Sequence, residues 1–256
     1  MEHDHEGQRV SRRRLITGVS SIGLGGLIAA SGPGIRATAT AESVFAGAGM
    51  CTLTPSATQG PFYFDADKIR SDIREDREGV RLRLAIKVND RGSCRPLRDA
   101  VVEIWHCDAA GLYSGAEKES ALDAGPPPGG GSVPDGKSDM EDMKDMKPSD
   151  DKRYLRGAQV TDSIGAVEFT TIWPGWYPGR AVHIHVMVHA DERRALSTQL
   201  MFDEKLNEAV FARHPYNRRQ GRRDTLNTGD GIFHDGMLLK VTEDGEGYQG
   251  AIVLSA

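Results

Sequence analysis

The sequence is 256 residues long, 38% hydrophobic and 27% charged, with a formal net charge of −5. That length suits one domain with its own core, and the acidic balance excludes the basic stripe that a nucleic-acid partner requires. Thirty glycines and twelve prolines favour many turns over long helices, and so an all-β body.

In chain order, residues 1–41 read as a removable leader. Ser11-Arg12-Arg13-Arg14-Leu15-Ile16 sets an arginine pair ahead of a moderately apolar stretch, residues 17–30, too short to span a bilayer. Ala37-Thr38-Ala39-Thr40-Ala41 then offers the small residues a signal peptidase requires. The expectation is a twin-arginine signal and export to the periplasm or beyond, with no stable membrane insertion after processing. A disordered basic tail, or an uncleaved anchor, is the plainer alternative. Residues 42–256 are the expected mature domain.

Of the three cysteines, Cys51, Cys94 and Cys107, the first two are the preferred disulfide pair in an oxidising compartment, because Cys107 falls beside the presumptive site. Three buried thiols are the alternative.

Leu82, Leu84, Ile86 and Val88 alternate with Arg81, Arg83 and Lys87, which predicts a half-buried strand. A turn at Asn89-Asp90-Arg91-Gly92 follows, then a second strand over 100–106 with Gly111 and Tyr113 at its exit. A hairpin is expected from 159–161 and 167–172 about the turn Asp162-Ser163-Ile164-Gly165, with further strands at 182–188 and 250–254. Short strands with turn signals and no long amphipathic helix predict an immunoglobulin- or transthyretin-like β-sandwich with long loops.

Two stretches break the pattern. Residues 124–152 open on Gly125-Pro126-Pro127-Pro128-Gly129 and run into mixed charges with Met140, Met143 and Met146, which predicts a flexible surface insertion. Metal binding by those methionines and the adjacent acids is the weaker alternative. Residues 214–230, rich in Arg, Asn and Gly, predict a long packing or functional loop.

The chemistry concentrates in Trp173-Pro174-Gly175-Trp176-Tyr177-Pro178-Gly179-Arg180-Ala181-Val182-His183-Ile184-His185. On a strand, His183 and His185 project to one side while Ile184, Val186 and Val188 face the other. Two imidazoles held by a sheet make half of a metal site. His189 shares their parity and is a candidate third ligand of a zinc site. Tyr113 and Tyr177 offer phenolates instead, hard anionic donors suited to Fe(III).

Four blocks in order carry a resemblance. They are Thr54-Pro55 through Gln59-Gly60-Pro61-Phe62-Tyr63, and Val102-Glu103-Ile104-Trp105-His106 through Gly111-Leu112-Tyr113-Ser114. Leu155-Arg156-Gly157 with residues 171–185 comes next, then Ser197-Thr198-Gln199-Leu200. In them the chain resembles the intradiol ring-cleavage dioxygenases, the family of catechol, protocatechuate and hydroxyquinol dioxygenases. The resemblance implies a non-haem Fe(III) held by Tyr113, Tyr177, His183 and His185. It places the family's active-site arginine and glutamine on Arg180 and Gln199, and gives Tyr177 the role of the departing, proton-accepting ligand. The implied partners are a small aromatic diol and O2, with a muconate-type diacid as product; self-association is left open. His106 and Trp105 are expected to pack rather than to line the pocket. There is no room for the helical dimerisation domain of the catechol enzymes, and the 124–152 insertion is longer than the family needs. The rival readings are an iron-free transthyretin-like binding module and a zinc hydrolase built on His183, His185 and His189.

Overall fold

The alternating run that opens at Arg81 forms strand β1 (Arg81–Asn89), with Leu82, Leu84, Ile86 and Val88 fully buried on one face. It is a strand of the computed structural model, which describes residues 44–45, 53–121 and 144–256. The expected leader, Cys51 and most of the insertion lie outside the described residues.

Seven further strands follow: β2 (Val101–Trp105), β3 (Arg156–Val160), β4 (Ala166–Ile172), β5 (His183–Ala190), β6 (Arg193–Met201), β7 (Lys240–Asp244) and β8 (Gly247–Ser255). They form two four-stranded sheets, ordered β4-β1-β8-β7 and β3-β2-β5-β6. All neighbours are antiparallel except β1 and β8, which run parallel. The expected all-β sandwich is therefore present.

The core lies between the sheets, where Leu84, Ile86 and Phe169 meet Val102, Ile104, Ile184, Val186 and Val188. Because side chains alternate along a strand, the odd-numbered residues of β2 and β5 face outward from the second sheet. Those outward residues are buried as well: Glu103, Trp105, His183, His185 and Met187 are at most 5% exposed. A second apolar layer covers them, made of Phe62, Tyr63, Cys107, Tyr113 and Ala116. That covering layer, rather than the sandwich itself, encloses the site.

Part of the expected insertion belongs to this cover, which corrects the expectation that it is flexible throughout. The described residues stop at helix α1 (Glu117–Ala121) and resume at Lys144. Met146 N–H then donates to the Tyr63 carbonyl at 2.8 Å, and Ser149 N–H to that of Gly115 at 2.8 Å. Met146 packs against the aromatic layer, so its role here is hydrophobic. Lys152 pairs with Glu117 of α1.

β6, β7 and the helix α2 (Glu204–Phe211) were not anticipated from sequence. α2 starts at Asp203, whose carboxylate accepts the amides of Lys205 and Leu206 as an N-cap. No helix among the described residues is long and apolar enough to cross a membrane. Cys94 is disulfide-bonded and Cys107 is a free, buried thiol, as the preferred pairing requires of both.

Candidate metal centre

β5 fixes the histidine pair. His185 lies in register with Trp105 of β2 on one side and Gln199 of β6 on the other. The Nε2 atoms of His183 and His185 approach to 3.1 Å. His183 Nδ1–H donates to the Ala181 carbonyl at 2.7 Å, so the neutral ring keeps its lone pair on Nε2, aimed at its partner. Trp105 stacks flat on His185, with ring centroids 4.9 Å apart and planes 4° off parallel. Its indole, 1% exposed, thus packs behind the histidine, as expected for it. Gly60 presses on the same imidazole: an added Cβ would stand 3.0 Å from His185 Cε1, and its φ of +72° already favours glycine.

Two phenols close the constellation. Tyr177 Oη lies 3.1 Å from His183 Nε2. The Tyr113 ring is 5.8 Å from that of Tyr177 and 6.3 Å from that of His185. Its hydroxyl is buried and meets no partner in good hydrogen-bond geometry among the described residues. An unmet buried hydroxyl costs about 1–3 kcal/mol, so its persistence marks a place for a ligand. Phe62 stacks on Tyr113 at 4.7 Å. Arg156, 1% exposed, braces both flanks: it donates to the Phe62 carbonyl at 2.8 Å, and to the Ser114 carbonyl and hydroxyl at 3.0 and 2.9 Å. In the sequence Arg156 figured only as part of a matching block; its buried charge among backbone acceptors gives the block a physical reason.

Arg180 and Gln199 also converge. Arg180 Nη2 donates to Gln199 Oε1 at 2.5 Å, and Gln199 shares the register of His185. Arg180 Nε donates to Asp230 Oδ2 at 2.9 Å. Asp230 escaped the sequence reading, which left residues 214–230 without assigned chemistry. His106 is enclosed, bonded to Thr171 Oγ1 at 2.7 Å and the Cys107 carbonyl at 2.8 Å, and packs as expected.

Burial sets the protonation states. Desolvation pushes Tyr177 up to about 12 and Tyr113 well above the usual phenol range, the latter helped by the nearby Tyr177. It lowers His183 to about 3, with the Arg180 charge acting the same way, and His185 well below the usual imidazole range. The four groups are thus neutral near pH 7 when alone. A cation reverses that logic, because it favours phenolate and bare imidazole together. Burial also disfavours the Asp230 carboxylate, but the Arg180 charge and two backbone N–H bonds outweigh it and hold the group ionised.

The donor set fits a hard trivalent iron. Donor atoms about 3.1 Å apart match two ligands each roughly 2.1 Å from one cation. Two imidazoles with two phenols supply N and anionic O donors without a carboxylate. The zinc triad is not assembled: His189 lies four residues from His185, about 13 Å along a strand, and its Nε2 is 3.8 Å from Glu103 Oε2. No cluster of three His, Cys, Asp or Glu suited to a metal exists among the described residues.

Comparisons with known proteins place the chain in a family. A family model described as "Dioxygenase" matches residues 57–213, more than half of the chain. A solved intradiol ring-cleavage dioxygenase from Tetranychus urticae superposes with a TM-score of 0.68 at 33% identity, covering 80% of this chain and 94% of that one. The dioxygenase domain of a carbohydrate-binding fusion protein from Streptomyces sp. SirexAA-E aligns at a TM-score of 0.54 and 26% identity, over 80% of this chain and 98% of that one. Chlorocatechol 1,2-dioxygenase from Rhodococcus opacus is 28% identical over 189 residues, 64% of this chain and 61% of the relative. The chain thus spans less than two thirds of that curated relative. It belongs to the intradiol ring-cleavage dioxygenase family.

Proposed function

We propose that the protein is a non-haem Fe(III) dioxygenase that opens a catechol-type ring between its two hydroxyl-bearing carbons, using O2, to give a muconate-type diacid. The observation that carries this reading is the buried Tyr113 hydroxyl, without a well-formed hydrogen bond among the described residues, beside the joined Tyr177–His183–His185 donors. Tyr113, Tyr177, His183 and His185 would hold the iron, which as a Lewis acid draws electron density from a bound diol and readies the ring for O2.

The chain's own residues divide the remaining work. Tyr177 is only half-buried and sits in the loop before β5; held as a phenolate by the iron, its Oη would be the atom to give way and take a proton from an incoming catechol hydroxyl. Tyr113, sealed under Phe62, stays in place. Arg180, turned inward by Gln199, stabilises negative charge developing on the ring. Phe62 and the tyrosine rings exclude water and offer faces to an aromatic substrate, with Trp105 packed behind His185.

Total metal analysis and a visible spectrum, repeated with catechol under anaerobic conditions, test the reading. A tyrosinate-to-iron band that shifts on catechol addition is the expected result. Protein that stays colourless after ferric reconstitution, or that purifies with zinc, overturns it. We further assign the reaction to the exterior of the cytoplasm on the strength of the leader at 1–41. Replacing both Arg12 and Arg13 with Lys should retain the protein inside the cell; undiminished export would refute that assignment.

A further inference from the structure

We propose that Asp230 is a positioning residue that aims Arg180 at the substrate, by strapping the loop between Tyr177 and His183 from a segment outside the matched dioxygenase region. The inference rests on the proposed activity for its kinetic consequence, though not for its geometry.

Three consecutive residues of that loop are held by two carboxylates of one segment. Gly179 N–H lies 3.1 and 3.2 Å from the two oxygens of Asp224. Arg180 Nε and Ala181 N–H both donate to Asp230 Oδ2, at 2.9 and 2.8 Å. Ala181 in turn supplies the carbonyl that orients His183, so Asp230 bears on Arg180 directly and on a histidine through one residue. The segment is anchored at its middle, where Asn227, 5% exposed, donates to the Phe202 carbonyl at 2.8 Å and to Glu204 Oε1 at 2.7 Å. Residues 224–230 lie beyond the matched region, which ends at residue 213.

The pairing also settles which part of the guanidinium is available. Nε is taken by Asp230 and Nη2 by Gln199. Among the described residues Nη1 has no partner, and it is the nitrogen left to meet negative charge in the pocket. A planar guanidinium fixed at two of three nitrogens has a defined direction for the third. A side chain misplaced by about 1 Å at a reacting centre can reduce turnover by as much as ~100-fold.

The test is Asp230→Asn, which keeps the shape, with Asp230→Ala beside it, each made in the parent and in Arg180→Gln. In the iron-loaded parent, Asp230→Asn is expected to lower kcat about tenfold with KM within about twofold, since the lost interaction acts after binding. The tyrosinate band and the anaerobic affinity for catechol should be unchanged. In Arg180→Gln the same change should reduce kcat less than about twofold, because residues acting through one another are not additive. Equal losses in both backgrounds, or a kcat within twofold of the parent, would overturn the proposal. Amide exchange in metal-free protein gives a reading without activity: Asp230→Ala should speed exchange at Ala181 by about tenfold or more, and unchanged exchange likewise overturns it. If the parent cleaves no catechol, the proposed activity fails on its own, and the exchange result still decides whether Asp230 holds the loop.

Discussion

Tyr113 and Tyr177 present similar hydroxyls to one small volume from different surroundings, and the difference is measurable. Among the described residues Tyr113 Oη has no partner in good hydrogen-bond geometry, so Tyr113→Phe should leave the metal-free protein as stable or more stable, by up to about 1–3 kcal/mol. Urea unfolding of the two apo-proteins checks this, and iron uptake should fail in the same variant. Tyr177→Phe should instead lose about 0.5–1.5 kcal/mol of apo stability, since its hydroxyl bonds to His183. The residues named from sequence do come together, because strand parity put His183 and His185 on one side and family resemblance supplied the tyrosines, Arg180 and Gln199. Asp230 stayed illegible for a physical reason. It reaches Arg180 across 50 positions from an irregular loop, where no periodicity links the two. Trp105 packs as expected, stacked on His185, although which face of β2 is covered depends on a distant segment.

At the scale of elements, the cover over the second sheet matters more than the strands beneath it. Arg156 ties this cover together, and burial lowers its own basicity to about 10. Arg156→Ala would leave the Phe62 carbonyl and both Ser114 oxygens without this donor. The expected loss is about 3 kcal/mol or more, at 1–3 kcal/mol for each unmet group. Thermal unfolding should show a lowered midpoint, and iron affinity should fall with it. The clear alternation of β1 made that strand legible. β6 reads RRALSTQLM and is buried on both faces over its second half, so it shows no alternation to find. β7, with sequence KVTED and largely exposed, carries no hydrophobic signal. The end of the insertion looked solvated by composition, yet Met146 and two backbone bonds dock it.

For the molecule as a whole, acid should begin to destabilise above the range in which most carboxylates are protonated. Burial lowers His106 to about 4, while an unfolded histidine titrates near 6.5. Between those values the unfolded chain binds more protons, so stability falls as the pH drops from about 6.5 to 4, by up to about 3 kcal/mol for this group. His183 and His185 act in the same direction in metal-free protein. Iron should flatten the slope, because the cation competes with protons for their lone pairs. Denaturant melts at pH 7 and pH 5, with and without iron, read both effects, and a flat apo profile would contradict them. The parallel pairing of β1 with β8, which sets Leu82 beside Tyr248 and Asn89 beside Ser255, bears on synthesis. A ribosome delivers β1 early and its central neighbour last. Tyr113, Tyr177, His183 and His185 all emerge before the strand that completes the sheet opposite them. A nascent chain halted before Gly247 therefore carries every candidate ligand yet has no closed sandwich to hold them, so lasting metal uptake should have to wait for the last strand.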